Sequence, residues 1–280
     1  MPRERLVPRG LTRKASLYPW AGSRQSVVER PGRMSRVGLN GVGRYVFGAA
    51  ALALGIAGLV LNDQLISNWQ LPAAEAFIVV TAVAQIVGGF ALLLRKTTGL
   101  GAIILGSVYL VFSLTFVPDI VAQPRVYASW GDVFYQLALV AGAVVAYGTA
   151  SPSRPAIASL CRAAVIVFGL CNVSFAIEQV EFLARTVSLV PAWIPPNGMF
   201  WAIATTIAFG LGGVALVVRY RALLAARLLG LMFGIFGVAI WIPILIADPK
   251  THSNWSEGIE TFALAGVAWI VAGFLGDEKG

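Results

Sequence analysis

One arrangement of prolines, tryptophans and acids occurs twice in this chain. Pro118, Pro124, Trp130 and Asp132 have the same spacing as Pro243, Pro249, Trp255 and Glu257, 125 residues further on. Upstream the offset is 124: the run from Gly88-Gly89 to Arg95 returns as Gly212-Gly213 to Arg219, and Trp69, Thr81 and Gly106 match Trp193, Thr205 and Gly230. One residue inserted near Trp241 accounts for the change of offset. A repeat of this length restricts architecture more than any local propensity, because each copy has to bury equivalent faces.

The unit is a membrane unit. Hydrophobic residues make up 58% of the 280 positions and charged residues 12%, about half the charge of an ordinary soluble domain. Eight stretches are apolar over roughly the 20 residues that a helix needs to cross a hydrocarbon layer. They lie near residues 44–61, 73–94, 99–117, 132–149, 160–178, 199–218, 227–246 and 258–275. The runs are continuously apolar, whereas barrel strands alternate lipid-facing and lumen-facing residues. A helix also satisfies its own backbone polar groups in lipid. The expected fold is an all-α integral membrane protein, with eight transmembrane helices as two parallel four-helix repeats.

Basic residues avoid translocated loops. With eight spans, 18 of the 21 Lys and Arg residues fall on the side of the termini, and only Arg125, Arg185 and Lys250 on the other. Both termini are expected in the cytoplasm. The whole +8 excess sits in residues 1–44, where ten basic residues face Glu4 and Glu29. The pI near 9.9 therefore reports a topology-setting tail able to rest on anionic headgroups, not nucleic-acid binding. The expected organisation is a basic disordered tail (1–43), a first membrane repeat (44–149), a linker (150–159), a second repeat (160–276) and a short tail (277–280). Translation from Met34 instead of Met1 would shorten the first tail. No cleavable secretory signal is evident.

An even number of spans per unit gives both copies the same orientation, so the halves should be related by an axis along the membrane normal. Pro118 and Pro243 fall where the third and seventh helices reach the outer surface, which suits a residue that ends helices and lacks an amide donor. Trp130 and Trp255 suit headgroup depth as anchors. The Gly88-Gly89 and Gly212-Gly213 pairs lie mid-helix, where small residues permit close helix approach.

Polar chemistry concentrates away from the basic side: Asp63, Glu75, Asp119, Asp132, Glu178, Glu181, Asp248, Glu257 and Glu260 all fall in outer loops or near outer helix ends. Acids are costly against lipid, so they should face a polar vestibule. Asp132 and Glu257 are expected in the first turn of their helices, where the dipole favours an anion. Glu75, Glu178 and Glu181 are stronger ligand candidates, since the repeat partner of Glu75 is Met199 and Glu178 and Glu181 share a helix face. Gln85 and Asn172 lie near mid-membrane, as interhelical hydrogen bonds or as ligand contacts. Tyr109, Tyr135, Trp201 and Trp241 could line an amphipathic pocket.

Other chemistries lack their residues. His252 is the only histidine and is expected in an outer loop, so a bis-histidine haem within the bundle has no ligands. Cys161 and Cys171 are ten apart on one helix, about 15 Å along its axis, and cannot pair without unwinding it. No metal constellation, nucleotide-binding loop or cofactor motif is present.

The run Val190-Pro-Ala-Trp-Ile-Pro-Pro, then Phe200-Trp201, Gly212-Gly213-Val-Ala-Leu, a basic turn, Leu228 to Ile242, Pro243 and Leu264-Ala-Gly266 resembles the four-helix DoxX-like family, and the first half resembles a more diverged copy. The resemblance implies a prokaryotic inner-membrane protein, sometimes linked to thiosulfate:quinone oxidoreductase or to redox-stress complexes. On that basis the protein would be a cofactor-free subunit of a quinone-linked complex, with a quinone as ligand and a soluble or membrane oxidoreductase as partner. Any turnover would belong to that complex. A carrier or binding protein for a small solute or lipid, using the interface between the repeats, is the alternative; a ligand-free membrane scaffold is a third.

Overall fold

The computed structural model describes residues 39–61, 74–151 and 155–278. Nearly all of the expected basic tail lies outside these residues, as do Asp63, Trp69 and the middle of the expected linker. The described residues form helices and turns, with no strand among them. In chain order the elements are α1 (Leu39–Val60), α2 (Ala74–Leu93), α3 (Thr98–Thr115), α4 (Val117–Ala122), α5 (Tyr127–Ala150), α6 (Pro155–Glu181), α7 (Leu183–Leu189), α8 (Gly198–Val217), α9 (Ala222–Phe236), a π-helical turn (Gly237–Trp241), α10 (Ile242–Ala247) and α11 (His252–Asp277). Eight of the resulting spans are long and apolar enough to cross a membrane, α3 with α4 and α9 through α10 each counting as one. The chain is an all-helical, multi-pass protein.

Five helices begin five or six residues earlier than hydrophobicity indicates. α1 starts at 39 where 44 is expected, α5 at 127 where 132 is, α6 at 155 where 160 is, α9 at 222 where 227 is, and α11 at 252 where 258 is. The apolar run marks only the lipid-buried stretch, while the hydrogen-bonded backbone continues into the headgroup layer. Two start signals explain particular ends: Pro155 occupies the first position of α6, where a proline's missing amide costs nothing, and the Asn197 side chain caps α8 by accepting from the Phe200 amide at 2.9 Å.

Three expectations at the helix ends are corrected. Asp132 and Glu257 do not cap their helices: each is the sixth residue of α5 or α11, and neither helix has an acid in its first turn. His252 is the first residue of α11, not part of a loop. Pro118 and Pro243 do not end helical structure either. Each stands at the start of a further helical turn, α4 or α10, where its fixed φ suits the first positions. Before Pro243 the ladder widens into the π turn, with the Ile242 amide reaching back to the Gly237 carbonyl. A one-residue insertion in a helix produces this kind of bulge, and it lies where the repeat offset changes from 124 to 125.

Within residues 39–150, α1 packs on α2, α2 on α3 and α3 on α5; within residues 155–277, α6 packs on α8, α8 on α9 and α9 on α11. The circuit closes through α5 against α6 and α11 against α1, and α5 meets α11 across the middle. α11 is the central element: 72% of its apolar core window is buried, against 22% for α8, which turns most of its surface outward. Large apolar side chains such as Val80, Leu211 and Ile246 face outward, as lipid contact requires.

Glycines set the closest approaches. Gly48 on α1 faces Gly89 on α2, where an added Cβ on Gly89 would stand 2.7 Å from the Gly48 carbonyl oxygen. Gly169 on α6 faces Gly213 on α8, where a Cβ would stand 2.6 Å from the Gly169 oxygen. Lipid gives helices no hydrophobic drive to associate, so this backbone contact supplies much of the van der Waals attraction.

Candidate functional site

Call the end of the bundle that carries Arg95, Lys96, Arg162, Arg219 and Arg227 the basic face, and the opposite end the acidic face. On the acidic face, three helices bring carboxylates together. Glu178, near the end of α6, is half-buried against α5: a Cβ on Gly131 would stand 3.0 Å from its carboxyl carbon, so the carboxyl packs close to the α5 backbone there. Asp132 follows on α5, and Glu257 lies on α11. The charges of Asp132 and Glu257 both act on Glu178 and on the deeper Glu260. At this acidic cluster, the mouth, Arg185 of α7 binds both oxygens of Glu257, at 2.8 and 2.9 Å. The Tyr127 hydroxyl ties the first turn of α5 to α6 through the Ser174 hydroxyl (2.9 Å) and carbonyl (3.2 Å).

Below the mouth lies a second polar group. Glu260 is the ninth residue of α11 and Gln136 the tenth of α5, each about 12–14 Å from its helix start at 1.5 Å per residue. Gln136 donates from Nε2 to Glu260 Oε1 at 3.3 Å. Gln136 is 8% exposed, and its Oε1 has no hydrogen-bond partner. Tyr109 on α3 is 1% exposed, lies within reach of the Glu260 charge, and has an unpartnered hydroxyl. Its ring is held by Phe47 and Phe112, with centroids 6.0 and 6.5 Å away. Beside them Tyr135 packs on Phe175 at 5.3 Å and its hydroxyl meets the Thr261 side chain.

The other expected ligand residues are dispersed. Glu75 is exposed in the first turn of α2, a position the helix dipole favours for an anion. Gln85 is buried on α2 and Asn172 fully buried on α6, helices that do not form a packed pair, so the two amides are not brought together. Asn172 makes no bond between helices: its Nδ2 donates to the Phe168 carbonyl of its own helix at 2.7 Å, and its Oδ1 is unpartnered. Glu181 is exposed at the end of α6. Trp201 is exposed, and its ring N–H is taken by the Pro195 carbonyl at 2.8 Å. The same bond joins Trp130 to Pro124 (3.1 Å) and Trp255 to Pro249 (2.8 Å), each across six residues. The Pro/Trp spacing is thus that of a clasp between an indole and a loop carbonyl. Trp241 is buried, its side chain against Gly258.

Sequence reasoning named Glu260 only among the acids expected to face a vestibule, and did not name Gly131, Gln136 or Ser174. A signal was available: Gln136 is four residues after Asp132 and Glu260 three after Glu257, which puts each on the helix face of a known acid.

The basic face carries ion pairs. Glu278 accepts from Arg219 at 2.5 Å and from Arg162 at 3.5 Å, and Arg44 donates to Thr98 at 2.7 Å. Arg219 and Arg221 turn the chain between α8 and α9 in left-handed backbone, with φ of 61° and 48°. Cys161 and Cys171 are both buried and unpaired on α6. Among the described residues no group of three or more His, Cys, Asp or Glu is placed to hold a metal ion. On the lipid side, a groove of about 530 Å³ runs between α1, α9 and α11 beside the π turn; its walls, including Val46, Ile235, Val238, Phe262 and Trp269, present only apolar atoms. No protein-family model, curated protein or solved structure matches the chain.

Proposed function

We propose that the protein is a carrier or binding protein for a small cationic solute, which enters from the acidic face and lodges between α5, α6 and α11. One observation carries this reading: Asp132, Glu178 and Glu257, carboxylates from three helices, lie within reach of one another's charge, with Arg185 paired to Glu257 and Glu260 deeper along α11. Acids in membrane segments are expensive and tend to be retained where they bind something. The mouth sits where the two expected repeats meet, so a change in the α5–α6 or α5–α11 contact would open or shut it. We take the membrane to be a prokaryotic cytoplasmic membrane on the family resemblance, with both termini inside on the distribution of basic residues.

The test is equilibrium binding of a graded series of alkylammonium ions to the full-length protein in mild detergent. Glu178→Gln should weaken binding about tenfold, equivalent to about 1.4 kcal/mol, with the melting profile retained. Undiminished binding in a folded variant removes Glu178 from the site, and no binding by any member of the series ends the reading. Single cysteines at positions 97 and 125 test the topology: they should label from opposite sides of the membrane, and same-side labelling breaks it.

The apolar groove supports a second reading, the quinone-linked redox subunit that the family resemblance implies. Its apolar lining suits an isoprenoid tail, and a partner would bring the redox cofactor. Mass spectrometry of the protein purified in mild detergent separates the two: a stoichiometric quinone or oxidoreductase subunit favours this one.

A further inference from the structure

We propose that Glu260, Tyr109 and Gln136 form a separate site for one small monovalent cation, a proton or Na⁺, beneath the solute mouth. The proposal deepens the binding reading above and rests on it for its role. Its evidence is the pair of orphaned groups. Tyr109, 1% exposed, has a hydroxyl with no partner, and Gln136, 8% exposed, has a free Oε1, although buried polar groups in folded proteins are almost always hydrogen-bonded. Both belong to the surroundings of one carboxylate: Gln136 is bonded to Glu260 through its other amide atom, and Tyr109 lies within the reach of its charge.

The donor set defines the ligand class. A carboxylate, an amide oxygen and a phenol oxygen are hard ligands without nitrogen or sulfur, which select against transition metals. One carboxylate balances one positive charge, whereas Ca²⁺ sites need six or more oxygens. The charged and titratable groups around Glu260 supply no competing cation at this depth. Glu257 and His252 are on its own helix, Asp132 and Tyr135 on α5, Tyr109 on α3 and Glu178 on α6, while Arg185 is engaged with Glu257 at the mouth. α1 and α9 carry Arg44 and Arg227 at the basic face, the far end of the bundle. A proton would reside on the Glu260 carboxyl; Na⁺ would sit between the carboxylate, Gln136 Oε1 and the Tyr109 hydroxyl. Because the ligands come from α3, α5 and α11, occupancy would lock the contact between the halves and so govern the mouth above.

The experiment uses the full-length protein in mild detergent, with thermal unfolding followed as NaCl replaces N-methylglucamine chloride at constant ionic strength. Infrared difference spectra across pH are recorded on the same preparations. If the ion is Na⁺, the unfolding midpoint rises with Na⁺ in the wild type, Tyr109→Phe needs about tenfold more Na⁺ for the same rise, and Glu260→Gln shows none. If it is a proton, Na⁺ has no effect, and a protonated-carboxyl band that titrates in the wild type is missing in Glu260→Gln. Absence of both responses in the wild type, or their persistence in Glu260→Gln, overturns the site. Should Glu260→Gln not fold, the shifted Na⁺ dependence or shifted carboxyl titration of Tyr109→Phe decides. Alkylammonium binding is measured separately: its failure alongside an intact Glu260 response ends the solute reading and leaves the cation site standing.

Discussion

Gln136 on α5 donates to Glu260 on α11 across 3.3 Å, joining residues 124 positions apart at the centre of the bundle. This bond is a polar contact between α5 and α11, beside that of Tyr135 with Thr261, and it sets the orientation of the carboxylate that lies deeper than Glu257 on α11. Replacing Gln136 by Leu leaves Glu260 without its donor inside the membrane. Loss of such a partner costs about 1–3 kcal/mol, so Gln136→Leu should lower thermal stability in detergent by that amount. A double-mutant cycle with Glu260→Gln should show coupling between the sites; strict additivity would mean that the bond contributes nothing.

The glycine contacts should tolerate no side chain. At Gly89 a Cβ meets the Gly48 carbonyl and the Leu52 amide of α1, and at Gly213 it meets the Gly169 carbonyl and the Val173 amide of α6. Backbone cannot move aside as a flexible side chain can, so Gly89→Ala and Gly213→Ala should each destabilise by about 1–3 kcal/mol. Chemical denaturation in mixed micelles measures this. A neutral result at either position would show that the helices separate there at little cost.

The three indole clasps are equal in kind, and two of them follow from the repeated spacing. Trp255→Phe keeps the ring and removes the bond to the Pro249 carbonyl. The expected loss is about 0.5–1.5 kcal/mol, with faster hydrogen exchange across residues 248–254. Pro249→Ala retains the acceptor carbonyl and should leave the indole bond in place, which the tryptophan side-chain N–H resonance reports.

Asp248, fully exposed between α10 and α11, accepts from the Thr251 hydroxyl at 2.6 Å and from Asn254 at 3.2 Å, and the Thr251 bond first of all holds its carboxyl below the ordinary carboxylate range. A depressed carboxyl pKa contributes order that is fully present above the unfolded value, about 3.9, and is lost as pH falls through the folded value. Exchange protection of the first turn of α11 should therefore persist at neutral pH and fall only in acid. Thr251→Ala should move that fall to higher pH; an unchanged profile would detach the loop from Asp248.

Arg221 carries φ of 48°, backbone that costs a residue with a Cβ about 1–2 kcal/mol. Arg221→Gly should be neutral or stabilising, and Arg221→Val, β-branched, clearly destabilising. The unfolding midpoint of the valine variant should fall below the wild type and that of the glycine variant should not; a glycine variant as destabilised as the valine one would mean that the turn is not strained.

Much of the candidate site could be read from the sequence as a list but not as a constellation. Glu178 was legible because it is an acid near the end of an apolar run and shares a helix face with Glu181. Gln85 and Asn172 were equally legible as mid-span amides, yet they sit on helices that do not pack together. Gln136 was overlooked because one amide in a 24-residue apolar helix is an ordinary packing device, and its importance comes only from facing Glu260.

The sequence by itself determined the eight apolar spans, the separation of acids from most basic residues along the chain, and the Pro/Trp landmarks. These depend on local composition, because water and lipid sort residues by polarity over each 20-residue stretch. Tertiary structure alone decided that Trp130 and Trp255 clasp proline carbonyls from within helices, that Asp132 and Glu257 stand beyond the first turn, and that Gln136, Glu260 and Tyr109 converge. Those outcomes depend on where each helix starts and how far it is rotated about its axis. Rotation is set by contacts such as Gly48 on Gly89 and Gly131 beside Glu178, which join residues far apart in the chain.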